Sequence, residues 1–68
     1  MKNSIKVERA KKNITQAELA NLIKVSRQTI SAMESGKYIP STLLALRLSF
    51  IFEVGVNEIF ILEQEDWK

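Results

Sequence analysis

Two adjacent side chains, Arg27 and Gln28, carry hydrogen-bonding groups that suit the edges of DNA bases. A guanidinium can bond guanine O6 and N7 together, and a glutamine amide can bond adenine N6 and N7 in the same way. Ser31, Ala32 and Ser35 follow at helical spacing and are small and uncharged. None of these five side chains is acidic, so none would repel a phosphate. The set favours insertion into a major groove, and an ordinary amphipathic helix with a polar outer face is the alternative.

Cysteine and histidine are both absent from the sequence. The chain therefore has no thiolate or imidazole to bind a metal, and no Cys/His nucleophile pair or imidazole general base. Only two glycines occur, which is too few for a glycine-rich phosphate loop. We expect a protein that is not an enzyme and has no metal and no cofactor.

The length of 68 residues allows one domain, here residues 1–68, and the 46% hydrophobic content is typical of a globular chain. No apolar run approaches the roughly 20 residues that cross a bilayer. The N-terminal segment is charged throughout, unlike a signal peptide. These features predict a cytoplasmic protein with no membrane partner.

Charge is distributed unevenly along the chain. Residues 1–47 hold nine Lys and Arg against three Glu, whereas residues 48–68 hold one Lys against five acidic residues. A basic body with an acidic end indicates that one surface meets an anion and another is kept away from it. Ordinary solvated surface charge is the alternative.

The clearest helix start is the segment Ile14-Thr15-Gln16-Ala17-Glu18-Leu19. Thr15 and Glu18 have the spacing of a capping box, and Ile14 and Leu19 have the spacing of a hydrophobic staple. Further cap residues precede four other segments: Asn3 or Ser4, Ser26, Ser41 and Gly55. The pattern predicts five helices, at about residues 4–12, 16–23, 27–34, 42–52 and 56–62.

The second and third helices are predicted to form a helix-turn-helix over residues 16–35, because only Lys24-Val25-Ser26 separates them. Ala20 has the small side chain that a close helix crossing needs. The apolar contacts between the two helices are expected from Leu19, Leu22, Ile23, Val25, Ile30 and Met33. A rotation of 100° per residue places Ile30, Met33 and Glu34 on the inner side of the third helix.

The stretch ITQAELANLIKVSRQTISAMESGKYIPS resembles the lambda-repressor-like family, the Cro/repressor or XRE-type helix-turn-helix regulators. The resemblance extends from Ile5 to Phe60 and rests on T-Q-x-E-L-A, V-S-R-Q-T-I and E-S-G-K-Y-x-P together. It implies an all-α, five-helix DNA-binding domain, most similar to the short stand-alone regulators, that binds double-stranded DNA at a two-fold operator as a homodimer. A repressor that occludes a promoter is the first hypothesis. An antitoxin-type module that binds a partner protein as well as DNA is the alternative.

The resemblance also implies roles for matching residues, with Arg27 and Gln28 as readers of base edges. Contacts with phosphates or bases around them are expected at Gln16, Ser26 and Ser31. The loop past the third helix is expected to meet phosphates through its backbone amides and one ammonium group, at Ser35, Gly36, Lys37 and Tyr38. A ring packed on the fourth helix is the alternative for Tyr38. In the interior, the family pairs an Arg of the first helix with a Glu of the third, and Arg9 and Glu34 stand at those positions.

Several positions depart from the family pattern. Lys24 and Glu53 stand where glycine is usual after a helix. In the first helix, Glu8 replaces an apolar residue and Val7 a polar one. Two apolar residues of the fourth helix also replace polar ones and suggest a partner surface: Leu43 and Phe50.

The acidic C-terminal third, about residues 50–68, is the predicted dimerisation region, because it is rich in apolar residues and separate from Arg27 and Lys37. The candidate interface residues are Leu43, Phe50, Val56, Ile59 and Phe60. The run Phe60-Ile61-Leu62-Glu63 is also β-prone. A short antiparallel strand paired with residues near Met1–Asn3 is therefore the alternative to the end of the fifth helix.

Overall fold

Helices joined by short turns surround a single apolar core in the computed structural model, which describes all 68 residues. The elements in chain order are β1 (Lys2–Asn3), α1 (Ile5–Lys11), α2 (Gln16–Ile23), α3 (Arg27–Glu34), α4 (Thr42–Phe52), α5 (Val56–Ile59), β2 (Phe60–Ile61) and a 3₁₀ helix (Gln64–Trp67). The prediction of five helices with a helix-turn-helix at α2 and α3 is confirmed. The 3₁₀ helix was not expected.

Local capping sets the starts of α2, α3 and α4. Thr15 Oγ1 accepts a hydrogen bond from the Glu18 amide at 3.0 Å, and Glu18 Oε1 accepts one from the Thr15 amide at 2.8 Å. Ser26 and Ser41 each accept from the amide three residues later, at 3.1 and 3.2 Å. Because these bonds satisfy amides that a helix start leaves unpaired, the sequence around each cap is enough to locate these three helices.

The core is formed by nine buried residues from all five helices: Ile5, Leu19, Ala20, Ile23, Ile30, Met33, Leu48, Phe52 and Ile59. Ala20 is 4% exposed and lies within this core, where α2 packs against α3. The expectation that Leu22 contributes to this packing is wrong, because its side chain is 51% exposed. Leu22 lies roughly 100° around α2 from the mean direction of the helix's buried residues, at 100° per residue.

The expectation that the fifth helix runs to residue 62 is also wrong. The helix ends at Ile59, and the strand alternative is confirmed by an antiparallel pairing in which Lys2 faces Ile61 and Asn3 faces Phe60. The Ser4 amide donates to the Ile59 carbonyl at 2.8 Å and extends the pairing. The β-prone residues after Ile59 thus gain backbone partners from the opposite end of the chain.

Two helices end at non-glycine residues in the left-handed region. Lys24 after α2 has φ 64° and Glu53 after α4 has φ 58°. In both turns the next amide closes the helix on the carbonyl five residues back, at 3.0 Å from Val25 to Ala20 and 3.3 Å from Val54 to Ser49. Each such residue costs roughly 1–2 kcal/mol relative to an unstrained backbone.

The first helix packs with its expected face toward the core, although a polar residue, Glu8, and an apolar one, Val7, exchange their usual positions. Glu8 is buried, with its carboxylate 3.2 Å from Lys11 Nζ, whereas Val7 is exposed. Ile5 is fully buried, and the Arg9 side chain reaches α3, so these two residues fix the rotation of α1.

Candidate nucleic-acid interface

The polar side of α3 lies on the surface of the molecule. Arg27 is its first residue, next to the Ser26 cap, and Arg27, Gln28, Ser31 and Ser35 are all exposed. On the opposite side of the helix, Ile30 and Met33 are buried in the core. α3 therefore has an exposed polar face, formed by Arg27, Gln28, Ser31 and Ser35, and a buried apolar face on its other side.

A partly buried ion pair holds the end of α3 to α1. Arg9 Nε lies 2.7 Å from Glu34 Oε2, and Arg9 Nη2 lies 3.3 Å from Glu34 Oε1. A third bond runs from Arg9 Nη1 to the Ile14 carbonyl at 3.1 Å. The guanidinium thus fixes α1, the start of α2 and the end of α3 relative to one another.

Gln16 connects this ion pair to the exposed polar face of α3. Its Nε2 donates to Glu34 Oε1 at 3.0 Å, and its Oε1 accepts from Arg27 Nη1 at 3.5 Å. A chain of side chains therefore runs from Arg9 through Glu34 and Gln16 to Arg27. No sequence pattern predicted the bond between Gln16 and Glu34, because these residues lie at opposite ends of the helix-turn-helix. The Gln16 side chain, which is expected to contact a phosphate, is thus held firmly by Glu34 and only weakly by Arg27.

The Glu34 carboxyl is stabilised in its charged form. Burial raises its pKa, but the hydrogen bonds from Arg9 and Gln16 and the charge of Arg9 outweigh burial, so the net pKa lies below the ordinary value. The hydrogen bond to Glu34 in turn raises the pKa of Arg9. Both partners are therefore ionised at neutral pH.

The loop after α3 differs from expectation in its backbone. Gly36 has φ 80° and its amide donates to the Met33 carbonyl at 3.1 Å, while the Lys37 and Tyr38 amides donate to the Ala32 carbonyl at 2.9 and 3.2 Å. This is the bonding of a Schellman motif, which satisfies the last carbonyls of a helix. The expectation that these amides meet an anion is wrong, because they are already engaged.

The remaining candidates divide by whether their side chains are engaged. Ser26 Oγ caps α3, and Ser35 Oγ donates to the Ala32 carbonyl at 3.1 Å. Four candidate side chains make no hydrogen bond or ion pair within the chain: Gln28, Ser31, Lys37 and Tyr38. Tyr38 is 42% exposed and lines one groove together with Gln28 of α3 and Leu44 of α4, so it lies between the exposed polar face of α3 and the start of α4.

The candidate dimer residues fall into three environments. Ile59 is fully buried in its own chain, which contradicts its placement in an interface. Val56 and Phe60 are half-buried and line a groove of about 400 Å³ together with Ile39 and Leu46. Leu43 and Phe50 are exposed and line a different groove.

The comparisons with known proteins agree with this architecture. The sequence profile of the family described as helix-turn-helix matches residues 5–59, which include α1 to α5. The chain belongs to this family. It is similar to uncharacterised HTH-type transcriptional regulators of Methanocaldococcus jannaschii, at 48% identity over 97% of this chain and 100% of the relative, and Archaeoglobus fulgidus, at 44% over 100% and 97%. Bacillus subtilis YgzD, also an uncharacterised HTH-type regulator, is 41% identical over 97% and 100%.

Membership in this XRE-type helix-turn-helix family supports DNA-binding regulation of transcription. The family is one of regulators and is not a class of enzymes. No helix in the structure has the combination of length and apolar character needed to cross a membrane.

Proposed function

We propose that this helix-turn-helix protein is a sequence-specific, homodimeric repressor that acts in the cytoplasm by occluding a promoter. Residues 1–68 act as one DNA-binding domain, and α3 of each subunit enters a major groove of a two-fold operator. The observation that carries the proposal is the exposed polar face of α3, with Arg27 and Gln28 at its leading end. Occlusion requires only that the operator be occupied. No observation favours the antitoxin alternative.

Base reading is assigned to Arg27 and Gln28. The exposed Gln28 amide is unengaged, and the weak bond to Gln16 leaves most of the Arg27 donors available. Ser31 lies one turn further along the same face. The Arg27 and Gln28 side chains can each form two hydrogen bonds to one purine, and each such pair of bonds is worth about 1–3 kcal/mol of discrimination between bases.

Arg27→Ala and Gln28→Ala are each expected to weaken binding to the preferred operator by about 1–3 kcal/mol and to relax preference at one base position. Fluorescence anisotropy with operator and random duplexes measures both effects. Gln64→Ala, an exposed glutamine of the 3₁₀ helix, is the matched control and should leave the specificity ratio unchanged. Equal losses on operator and random DNA would show that Arg27 and Gln28 are not readers.

Phosphate contact past α3 is assigned to the side chains of Lys37 and Tyr38, since the loop amides are engaged. Lys37→Ala should weaken binding to all sequences alike and reduce the slope of log K against log salt by about one. Lys12→Ala removes the same charge where Lys12 pairs with Glu53 at 2.7 Å, and should preserve the slope. An unchanged slope for Lys37→Ala would remove this residue from the phosphate contacts.

The two-fold seam is assigned to the groove around Val56. One recognition helix covers few base pairs, so a dimer with half-sites about 34–36 Å apart is expected. The groove contains Ile39, Leu46, Val56 and Phe60, and its one charged group, the Met1 amine, is already paired with Glu63 and Asp66. Because a two-fold contact places the same patch on both subunits, an uncharged apolar patch suits it.

A further inference from the structure

A second apolar groove lies where the end of α2 packs beside α4. Leu22, Leu43, Leu46 and Phe50 are 51%, 57%, 57% and 81% exposed, and they line a cavity of about 330 Å³ that we call the α2–α4 groove. Leu46 also borders the Val56 groove, whereas the other three belong neither to the proposed two-fold seam nor to the exposed polar face of α3. Contiguous exposed apolar side chains of this kind mark interaction surfaces.

The charges around the α2–α4 groove indicate what it binds. Its two charged lining residues, Lys24 and Arg47, are both cationic. Neither forms an ion pair, and Arg47 Nη1 donates instead to the Ile23 carbonyl at 3.2 Å. A two-fold contact through this groove would bring like charges toward each other. A segment that presents apolar and acidic side chains together is the complementary occupant.

The chain itself contains one exposed segment with this chemistry, residues 62–67, which we call the acidic turn. Leu62 and Trp67 are 58% and 77% exposed, and the residues between them are Glu63, Gln64, Glu65 and Asp66. Two sets of contacts hold the turn. The Glu63 amide donates to Asp66 Oδ2 at 2.7 Å, and the carboxylates of Glu63 and Asp66 lie 3.0 and 3.1 Å from the Met1 amine. None of its residues lines the groove of its own molecule.

We propose that the α2–α4 groove of one molecule binds the acidic turn of a second molecule. Trp67 supplies the aromatic anchor, and Glu65, which forms no ion pair of its own, faces the Lys24 and Arg47 side. The contact joins two different surfaces, so it is head-to-tail. Of the residues that line the α2–α4 groove, only Leu46 also lines the Val56 groove. It therefore links one homodimer to the next and favours joint occupancy of neighbouring operators. The interaction does not depend on DNA and can be tested in its absence.

Trp67 is the only tryptophan, so its emission reports directly on this contact. With the full chain, sedimentation should show species larger than a dimer as concentration rises, together with a shift of Trp67 emission to shorter wavelength as the indole leaves water. Phe50→Ser should weaken this association by about tenfold or more and preserve the dimer. Val7→Ser, which alters another exposed apolar residue, should change neither readout. Circular dichroism confirms that each variant is folded.

Charge reversal tests the orientation of the contact. Lys24→Glu and Glu65→Lys should each weaken the association, and the double variant Lys24→Glu/Glu65→Lys should recover it, because the side chains at positions 24 and 65 then again have opposite charges. Recovery would support the proposed pairing, and its absence would contradict it. A wild type that remains dimeric with unchanged Trp67 emission would overturn the proposal. The proposal would also be overturned if Phe50→Ser were monomeric and its Trp67 emission did not change, because the α2–α4 groove would then be the two-fold seam.

Discussion

Arg9→Ala is expected to lower the free energy of unfolding by about 3 kcal/mol, the lower end of the range for breaking a buried ion pair. The lower end applies because the Arg9 and Glu34 side chains retain 16% and 10% exposure. The substitution removes two bonds to Glu34 and one to the Ile14 carbonyl, and leaves a carboxylate held by Gln16 alone. Thermal unfolding followed by circular dichroism should show a drop of about 15 °C for a domain of this size.

The matched control is Lys12→Ala, which removes the exposed ion pair with Glu53 and should change the midpoint little. Replacing both partners by apolar residues, Arg9→Met with Glu34→Leu, should recover much of the loss, because no buried charge then remains. A midpoint that barely moves in Arg9→Ala would show that Glu34 is adequately solvated without its partner.

The same pair makes stability depend on pH. The pKa of Glu34 is lowered in the folded state, so its contribution is present above the ordinary value of 4.5 and is lost as pH falls through the folded value. The difference in stability between the wild type and Arg9→Ala should therefore narrow on acidification.

Val56→Asp is expected to yield a folded monomer with at least about 100-fold weaker operator binding, the gain that joining two binding modules provides. In a two-fold seam the new carboxylate meets its own copy. Val56 is the first residue of α5, where an acidic side chain is favourable to the helix dipole, so the fold should persist. Sedimentation and operator titration measure the two effects.

The control for this substitution is Val7→Asp, which places the same charge at an exposed valine of α1 outside the groove. It should remain dimeric and bind the operator normally. A Val56→Asp variant that is still dimeric would place the seam elsewhere, with the surface around Phe50 the next to test.

Local chemistry explains which parts of the fold were predictable. The caps at Thr15, Ser26 and Ser41 lie within three residues of the amides they bond, so α2, α3 and α4 could be located from short segments. The burial of Ile30 and Met33 followed from helical periodicity alone. The Arg9–Glu34 pair was expected only from the family resemblance, because 25 residues separate its members.

The errors arose where the deciding contact is distant or involves the backbone. Phe60 and Ile61 leave the helix because β1, at the other end of the chain, supplies hydrogen-bond partners. Leu22 is apolar but faces solvent, and its position around α2 relative to Leu19, Ala20 and Ile23 is a better guide to its exposure than its residue type. The engaged amides after α3 depend on the left-handed conformation of Gly36, and residue type shows only that this conformation is possible.

Selection of binding sites from a random duplex library, using the purified full-length chain, tests the central claim most directly. Sequence-specific binding by a two-fold dimer predicts an enriched motif with two inverted half-sites whose centres lie about 10–10.5 base pairs apart. The same selection with Arg27→Ala should lose preference at one position in each half-site. If selection with the wild-type protein enriches no motif although the protein binds DNA in a salt-dependent way, the assignment of α3 as a reader of sequence is contradicted.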